Sequence, residues 1–150
     1  MSTCLFCKII RNETPSYTVY EDDDTRAFLD IFPCTPGHTV VVLKTHGETI
    51  LDYDDESLGK LWGTVKRVTK ALEKTFGTTV FTIGINHNEP TGVHHLHVHI
   101  IPRFPDDRGG VIQSIVKNEG KEGLEEVEKR IKKNISLISK SQAPNHNIGH

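Results

Sequence analysis

Hydrophobic positions follow two different periods along this chain, and each period predicts a different kind of element. Apolar residues at helical spacing predict two main helices, one over 54–76 and one from Gly123 to about Lys140. The apolar segment 4–10 allows a further helical turn, and apolar or β-branched runs predict five strands within 17–20, 26–30, 39–43, 78–85 and 93–101. The strands come mostly in adjacent pairs rather than alternating with helices, so we expect an α+β fold with an antiparallel sheet.

Composition and charge limit the classes of function that this chain can have. It has 150 residues, of which 35% are hydrophobic and 25% charged, and its formal net charge is -2. These values predict one globular domain over residues 1–140, and the charge balance argues against nucleic-acid or membrane partners held by positive charge. The segment 141–150 is polar and has no apolar period, so we expect it to be a flexible tail. No apolar stretch approaches the roughly 20 residues of a membrane span, and no secretory signal is visible. The odd number of cysteines, three, predicts reduced thiols and a cytoplasmic location.

Histidine is the unusual feature of the composition. Four of the nine histidines lie between His94 and His99, and three of these alternate with apolar residues. In a strand, side chains two residues apart point to the same face about 6.6 Å apart, so His95, His97 and His99 should share one face while the residues between them enter the core. His94 has the opposite parity. The alternation therefore predicts a strand that presents three imidazoles in a row.

A row of imidazoles suits two kinds of chemistry. Because the pKa of a free imidazole lies near 6.5, the row can supply a neutral nucleophile beside a protonated neighbour at neutral pH. Imidazole is also the commonest metal ligand, and a metal-dependent hydrolase that uses all three rings as ligands is an alternative. A solvated strand face without function is the third interpretation, and three rings in strict alternation beside an apolar stripe make it the weakest.

Residues 95–101 match the pattern His-φ-His-φ-His-φ-φ, in which φ is apolar. Further motifs in the expected order lie at 4–10, 27–31, 36–41, 44–46 and 85–86. On these motifs the chain resembles the histidine-triad (HIT) superfamily over about residues 4–115, and it is most similar to the Hint-like bacterial and archaeal branch. The resemblance implies an antiparallel five-stranded sheet with two main helices, usually paired as a homodimer. It also implies hydrolysis or transfer of nucleotides at the α-phosphate of purine nucleoside phosphoramidates, dinucleoside polyphosphates or related compounds.

The resemblance assigns catalytic roles by position. His97, the middle histidine, would attack phosphorus and form a nucleotidyl-histidine that water then cleaves. His99 would stabilise charge on the phosphate oxygens or help to protonate the leaving group. His38 resembles the family histidine that orients the row. A nucleotide-binding regulatory module with little turnover is an alternative from a different class, against which the intact nucleophile argues.

The resemblance also implies a nucleotide-binding site. Asp30 matches a carboxylate that accepts two ribose hydroxyls, and Asn86 matches a residue that contacts the phosphate. An apolar slot for the base would be formed by Leu5, Phe6, Ile9, Phe28 and Ile31, for each of which plain core packing is an equal alternative. The Gly-Gln that usually precedes the first triad histidine is absent, since the segment 86–95 is shorter and has no glutamine. The amide of Thr91 or Gly92, or the ring of His94, would replace its phosphate or leaving-group contacts.

Cys4 and Cys7 form a pair with two residues between them, which alone is compatible with a zinc half-site, a redox pair or coincidence. Structural zinc needs four ligands. In HIT proteins with this pair, the resemblance supplies the other two from a Lys-x-His turn and from the first triad histidine, here His46 and His95. We therefore expect a structural zinc ion held by Cys4, Cys7, His46 and His95, with an unmetallated thiol pair as the alternative. Cys34, in a proline-flanked loop, is expected to have no role.

Overall fold

The computed structural model describes residues 3–142, and the chain divides into two compact units, Met1–Gln113 and Ser114–His150. The first unit contains helices Leu5–Ile10 (α1) and Asp55–Phe76 (α2) and strands Thr18–Glu21 (β1), Thr25–Leu29 (β2), Thr39–Leu43 (β3), Phe81–Gly84 (β4) and His97–Pro102 (β5). The second contains helix Leu124–Ser141 (α3). Both main helices agree with the prediction to within one residue at each end. The single domain over 1–140 stays a prediction, and residues 143–150 of the expected tail lie outside the described part.

All five strands form one antiparallel sheet with the order β1-β2-β3-β5-β4. The predicted α+β fold with an antiparallel five-stranded sheet is confirmed. Strand β5 lies between β3 and β4, and its register pairs His97 with Val42 and His99 with Val40. Hydrogen bonds along both edges therefore fix which way each side chain of β5 points. Between residues 3 and 142, none of the helices has the length and apolar character needed to cross a membrane.

The histidine strand begins later than the sequence pattern predicts. The alternation predicts a strand over 93–101, whereas β5 spans His97–Pro102, so His95 precedes the strand. The cause is the backbone pairing of this segment. The amide of His95 bonds to the carbonyl of Val93 at 2.9 Å, and the amide of Leu96 bonds to the carbonyl of Gly47 at 2.8 Å, rather than to a neighbouring strand. The row of histidines is thus built partly on a loop.

The sheet has a buried cluster on each face. The larger cluster includes residues from α2 and three of the strands, and its members are Ala27, Val41, Leu43, Leu61, Val65, Val68, Leu72, Leu96, Val98 and Ile100. The smaller cluster joins α1 to the opposite face through Phe6, Ile9, Phe28, Val40 and Val42. Because side chains alternate along a strand and Val98 and Ile100 enter the cluster beneath α2, His97 and His99 lie on the side of α1. The predicted alternation is confirmed within β5.

The loop before β3 packs against the end of α2. This helix begins after Asp54, whose side chain caps it, and ends at Gly77 in the left-handed conformation. Gly37 has a φ of 84°, and a Cβ at this position would overlap the ring of Phe76. Glycine alone accommodates both conditions without strain. The close approach of loop and helix places His38, the next residue, beside the histidine row.

Candidate active site and metal centre

The row of imidazoles lies at the N-terminal end of β5. The ring centroids of His97 and His99 are 4.9 Å apart, and the ring of Phe6 from α1 lies edge-on to His97 at 5.0 Å. His97 and His99 are partly buried, whereas the side chain of His95 is buried, with an exposure of 1%. Two of the three rings therefore keep access to solvent, and the third belongs to the interior.

The hydrogen bond of His97 decides which of its nitrogens carries the proton. Its Nδ1 lies 2.6 Å from the main-chain carbonyl oxygen of His95. A carbonyl oxygen can only accept, so Nδ1 carries the proton and donates it. In the neutral ring the lone pair is then on Nε2. The ring of His97 is thus held through one nitrogen while the other has the electronic form of a nucleophile.

The same reasoning places the protons of His38 and His99. The amide N–H of Cys34 donates to Nδ1 of His38 at 3.3 Å, so the proton of the neutral ring is on Nε2. Nε2 of His38 lies 2.9 Å from Nδ1 of His99 and donates to it, which leaves the proton of His99 on its own Nε2. Cys34 was expected to have no role, and its side chain is exposed, but its amide orients this pair. His97 and His99 therefore carry opposite tautomers.

Burial keeps the rings of His38 and His99 neutral. Desolvation lowers the pKa of His99 to about 4, with His97 and His38 acting in the same direction and Asp30 in the opposite one. Desolvation also lowers the pKa of His38, and the charge of Asp30 opposes this shift. The carboxylate Oδ2 of Asp30 lies 3.6 Å from Nε2 of His38. At neutral pH the His38–His99 pair therefore has one proton on each ring, as the hydrogen bonds require.

We expect stability to fall as the pH drops from neutral towards 4, partly because of His99. The unfolded imidazole takes up a proton below its ordinary pKa near 6.5, whereas the folded ring stays neutral until about pH 4. The unfolded state binds more protons in this window, so the free energy of unfolding falls as the pH drops. After allowance for solvent screening, the loss caused by His99 is about 2 kcal/mol at the lower end of the window. Urea unfolding across this pH range should show a flatter pH dependence for His99→Gln than for the wild type. Equal pH dependence would contradict a neutral buried ring.

Four potential metal ligands meet where α1 approaches the start of the histidine row. Nδ1 of His46 lies 3.3 Å from Sγ of Cys7 and also 3.3 Å from Nδ1 of His95. Nδ1 of His95 in turn lies 3.6 Å from the Sγ atoms of Cys4 and Cys7. A tetrahedral zinc ion with sulfur at about 2.3 Å and nitrogen at about 2.0 Å separates its ligands by roughly 3.3 to 3.8 Å. The spacing of these donor atoms therefore fits zinc, and the structure brings together all four residues that the sequence predicts.

Proton placement distinguishes this group from a second one. Nε2 of His95 donates to the carbonyl of Leu43 at 2.8 Å, which leaves a lone pair on Nδ1, the nitrogen that faces the cysteines. Asp30, His38 and His99 also lie close enough to hold an ion. There, however, the Cys34 amide leaves the proton of His38 on Nε2, where a metal would need a lone pair. The first group suits a metal, and the second suits proton transfer.

The three triad rings do not converge on one ion. Within residues 3–142, His95 groups with the two cysteines and His46, and His99 groups with Asp30 and His38. This separation argues against the metal-dependent hydrolase in which all three rings bind one metal.

A tyrosine that the sequence analysis did not single out supports the loop of His46. The hydroxyl of Tyr53 donates to the carbonyl of Thr45 at 2.7 Å and lies 3.3 Å from that of Gly47. Burial raises the pKa of Tyr53, so the hydroxyl keeps its proton and remains a donor. A Cβ at Gly47 would overlap the tyrosine ring. Tyr53 thus holds both residues that flank His46, and no local sequence pattern marks this role.

The residues expected to bind the nucleotide divide into buried and exposed sets. Phe6, Ile9 and Phe28 are buried in the smaller core cluster, whereas Leu5 and Ile31 are exposed at 41% and 65%. The buried set has the core role that the sequence left open, although Phe6 also touches His97.

Two further residues expected at the nucleotide site lie in different surface depressions. Asn86 lines a small cleft with His97. Gly92 lines a neighbouring groove with Cys4, Leu5 and His46. The structure therefore brings Asn86, rather than Gly92, to the cleft of the central triad histidine.

Three curated relatives extend over most of this chain. An uncharacterized HIT-like protein of Borreliella burgdorferi is 40% identical over 141 residues, which cover 90% of this chain and 100% of that protein. An adenosine 5'-monophosphoramidase of Saccharomyces cerevisiae is 38% identical over 112 residues, covering 74% of this chain and 68% of that protein. An adenylylsulfatase of Arabidopsis thaliana is 34% identical over 106 residues, covering 69% and 54% respectively.

Solved structures share the same fold. A HIT-family protein of Bacillus subtilis has a TM-score of 0.72 and 32% identity, and the match covers 96% of this chain and 99% of that one. A zinc-bound histidine triad family protein of Mycobacterium smegmatis has a TM-score of 0.66 and 25% identity, covering 93% and 98%.

The family model described as the HIT domain matches residues 11–106, which is more than half of the chain. The matched stretch contains the triad, His38, His46 and Asp30. The resemblance inferred from the sequence motifs is thus confirmed by independent comparison, and this chain belongs to the histidine-triad family.

Proposed function

We propose that this protein hydrolyses or transfers nucleotides at the α-phosphate of purine nucleoside phosphoramidates or dinucleoside polyphosphates, through a nucleotidyl-histidine on His97. The observation that carries the proposal is the hydrogen bond from His97 Nδ1 to the carbonyl of His95, because it leaves the lone pair on Nε2. The names of the yeast and plant relatives, a phosphoramidase and an adenylylsulfatase, support a hydrolase that acts on adenylyl compounds.

The reaction then has two displacements. Nε2 of His97 attacks the α-phosphorus, and the bond from phosphorus to the leaving group breaks with its electron pair on the leaving group. The leaving group takes a proton, which Nε2–H of His99 would donate. Water then attacks the same phosphorus and gives a proton to Nε2 of His99, which lost one in the first step. The phosphorus–nitrogen bond breaks with its electron pair on Nε2 of His97, so both rings return to their starting state. The carbonyl of His95 stabilises the positive charge that the ring carries in between.

The nucleotide itself would be held by the residues around the row. Asp30 would accept the ribose hydroxyls, and Asn86, in the cleft of His97, would contact the phosphate. The exposed side chains of Leu5 and Ile31 would contact the base, with Phe6 behind them. The amide of Gly92 would also contact the phosphate. Assembly into a homodimer stays a prediction.

We further propose that the four-ligand group binds structural zinc. Cys4, Cys7, His46 and His95 would complete the coordination of the ion, which would tie α1 to the start of the histidine row. When bound, zinc would supply a rigid cross-link and no open coordination position for a reactant. The spacing of the donor atoms and the zinc-bound relative support this proposal.

Trapping of the intermediate tests the proposed activity. We expect wild-type protein mixed with adenosine 5'-phosphoramidate and quenched within milliseconds to carry one adenylyl group, mapped to His97 by peptide mass spectrometry under mildly basic conditions. His97→Gly should carry none, and His87→Gly, a matched change in the exposed loop, should carry the adduct. Full turnover without any trapped adduct would contradict the covalent route, and binding without turnover would favour the regulatory module.

A further inference from the structure

The pair His38–His99 is linked to the proposed ribose site through a carboxylate. We propose that Asp30 couples ribose binding to the orientation of His99, so that a bound ribonucleotide completes the arrangement of the row. The inference rests on the proposed function for its ligand, a nucleotide with free 2'- and 3'-hydroxyls. Asp30 would then be a positioning residue for the reaction as well as a binding residue.

The first observation is that the N–H of His38 bonds to His99, and a carboxylate lies just beyond hydrogen-bond distance of the same nitrogen. The Cys34 amide occupies Nδ1 of His38, so the proton is on Nε2. Nδ1 of His99 lies 2.9 Å from this nitrogen, and Oδ2 of Asp30 lies 3.6 Å from it. The carboxylate carries a full charge and therefore competes with the neutral ring of His99 for the same N–H.

The second observation is that Asp30 is held where it can reach both His38 and a ligand. Its amide donates to the carbonyl of His38 at 3.0 Å, and its Oδ1 accepts from the amide of Phe32 at 2.9 Å. The other oxygen, Oδ2, faces His38. The side chain is 23% exposed, whereas that of His38 is 7% exposed. The carboxylate thus lies between the buried pair and the solvent.

A bound ribose would change how strongly the N–H of His38 bonds to His99. Ribose hydroxyls are donors, and a hydroxyl that donates to Asp30 reduces the carboxylate's attraction for Nε2–H of His38. The bond from this N–H to His99 is then stronger, which fixes the ring with its own proton on Nε2, towards the leaving group. Without the hydroxyls the charge of Asp30, 3.6 Å from Nε2, weakens this bond without forming a hydrogen bond of its own, and His99 is less firmly oriented. The ribose should therefore contribute to kcat and not only to KM.

Kinetics with two substrates test this coupling. For the wild type, we expect 2',3'-dideoxyadenosine 5'-phosphoramidate to have a kcat roughly tenfold or more below that of the ribose compound, beside a raised KM. Asp30→Asn removes the carboxylate charge that attracts the N–H of His38. In this variant the two substrates should differ in kcat by less than about twofold. Asp23→Asn, the same change in the turn at the far end of β2, should keep the wild-type response. A dideoxy substrate that changes only KM in the wild type overturns the proposal.

A spectroscopic readout separates this inference from the proposed activity. In protein labelled with ¹⁵N-histidine, the ring signals of His38 and His99 can be assigned with His38→Gln and His99→Gln. We expect adenosine to move both signals, 2',3'-dideoxyadenosine to leave them in place, and Asp30→Asn to move them without any ligand. Unchanged ring signals in Asp30→Asn overturn the coupling whether or not the protein is active. Shifted signals in a protein that turns over neither substrate support the contact and contradict the proposed activity.

Discussion

Replacing His97 with glycine is expected to abolish turnover of adenosine 5'-phosphoramidate while leaving AMP binding nearly intact. The change removes the nitrogen that forms the bond to phosphorus, and kcat should fall by at least roughly 1,000-fold. The ring is only partly buried and its neighbour Phe6 remains, so the fold should tolerate its loss. Stopped assays give kcat, and calorimetry gives the Kd of AMP, which should change by less than about threefold.

Chemical rescue provides the control for this variant. Glycine leaves a space of the size of an imidazole beside Phe6 and His99, so added imidazole should restore part of the activity of His97→Gly. His87→Gly should retain wild-type kcat without any addition. If His97→Gly kept the wild-type rate, covalent catalysis at this residue would be wrong. A variant that lost AMP binding as well would indicate that the ring is needed for binding, and the roles of the row would have to be revised.

Replacing Cys7 with serine is expected to remove the zinc ion and much of the stability of the fold. Sγ of Cys7 lies within 3.6 Å of both metal-facing histidine nitrogens, and a serine hydroxyl is a far poorer zinc ligand. Because binding energy at a structural site adds to folding energy, the Tm should fall by roughly 10 °C or more. Elemental analysis should find about one zinc per chain in the wild type and almost none in Cys7→Ser.

Cys34→Ser is the matched control, since it makes the same chemical change at an exposed cysteine outside the four-ligand group. It should keep both the zinc content and the Tm of the wild type. Wild-type protein purified without chelator that carried fewer than about 0.2 zinc per chain would count against the site. His95 belongs to the metal group, and its carbonyl holds the ring of His97, so Cys7→Ser should also lower kcat. A stable, fully active Cys7→Ser variant without zinc would show that the ion does not support the histidine row.

Elements with a local signal agree closely with the prediction, whereas those that depend on a distant partner do not. Asp54 and Gly77 delimit α2 because capping and the left-handed C-terminus are properties of a few adjacent residues. The start of β5 depends instead on Leu96 bonding to Gly47, a residue far away in the sequence. The spacing of apolar residues also did not show whether Phe28 lies in the base-binding slot or in the core, because both environments favour an apolar side chain.

The pattern of residues alone determined the side of the strand on which His97 and His99 lie, because successive side chains alternate in any extended chain. With the family motifs it also determined the four cysteine and histidine residues that meet near α1. The tertiary structure decided which nitrogen of each ring carries a proton. That property depends on the main-chain groups of His95, Cys34 and Leu43, and only folding brings the last two of these next to their rings. Proton placement separates a nucleophile, a proton donor and a metal ligand among histidines that look identical in the sequence.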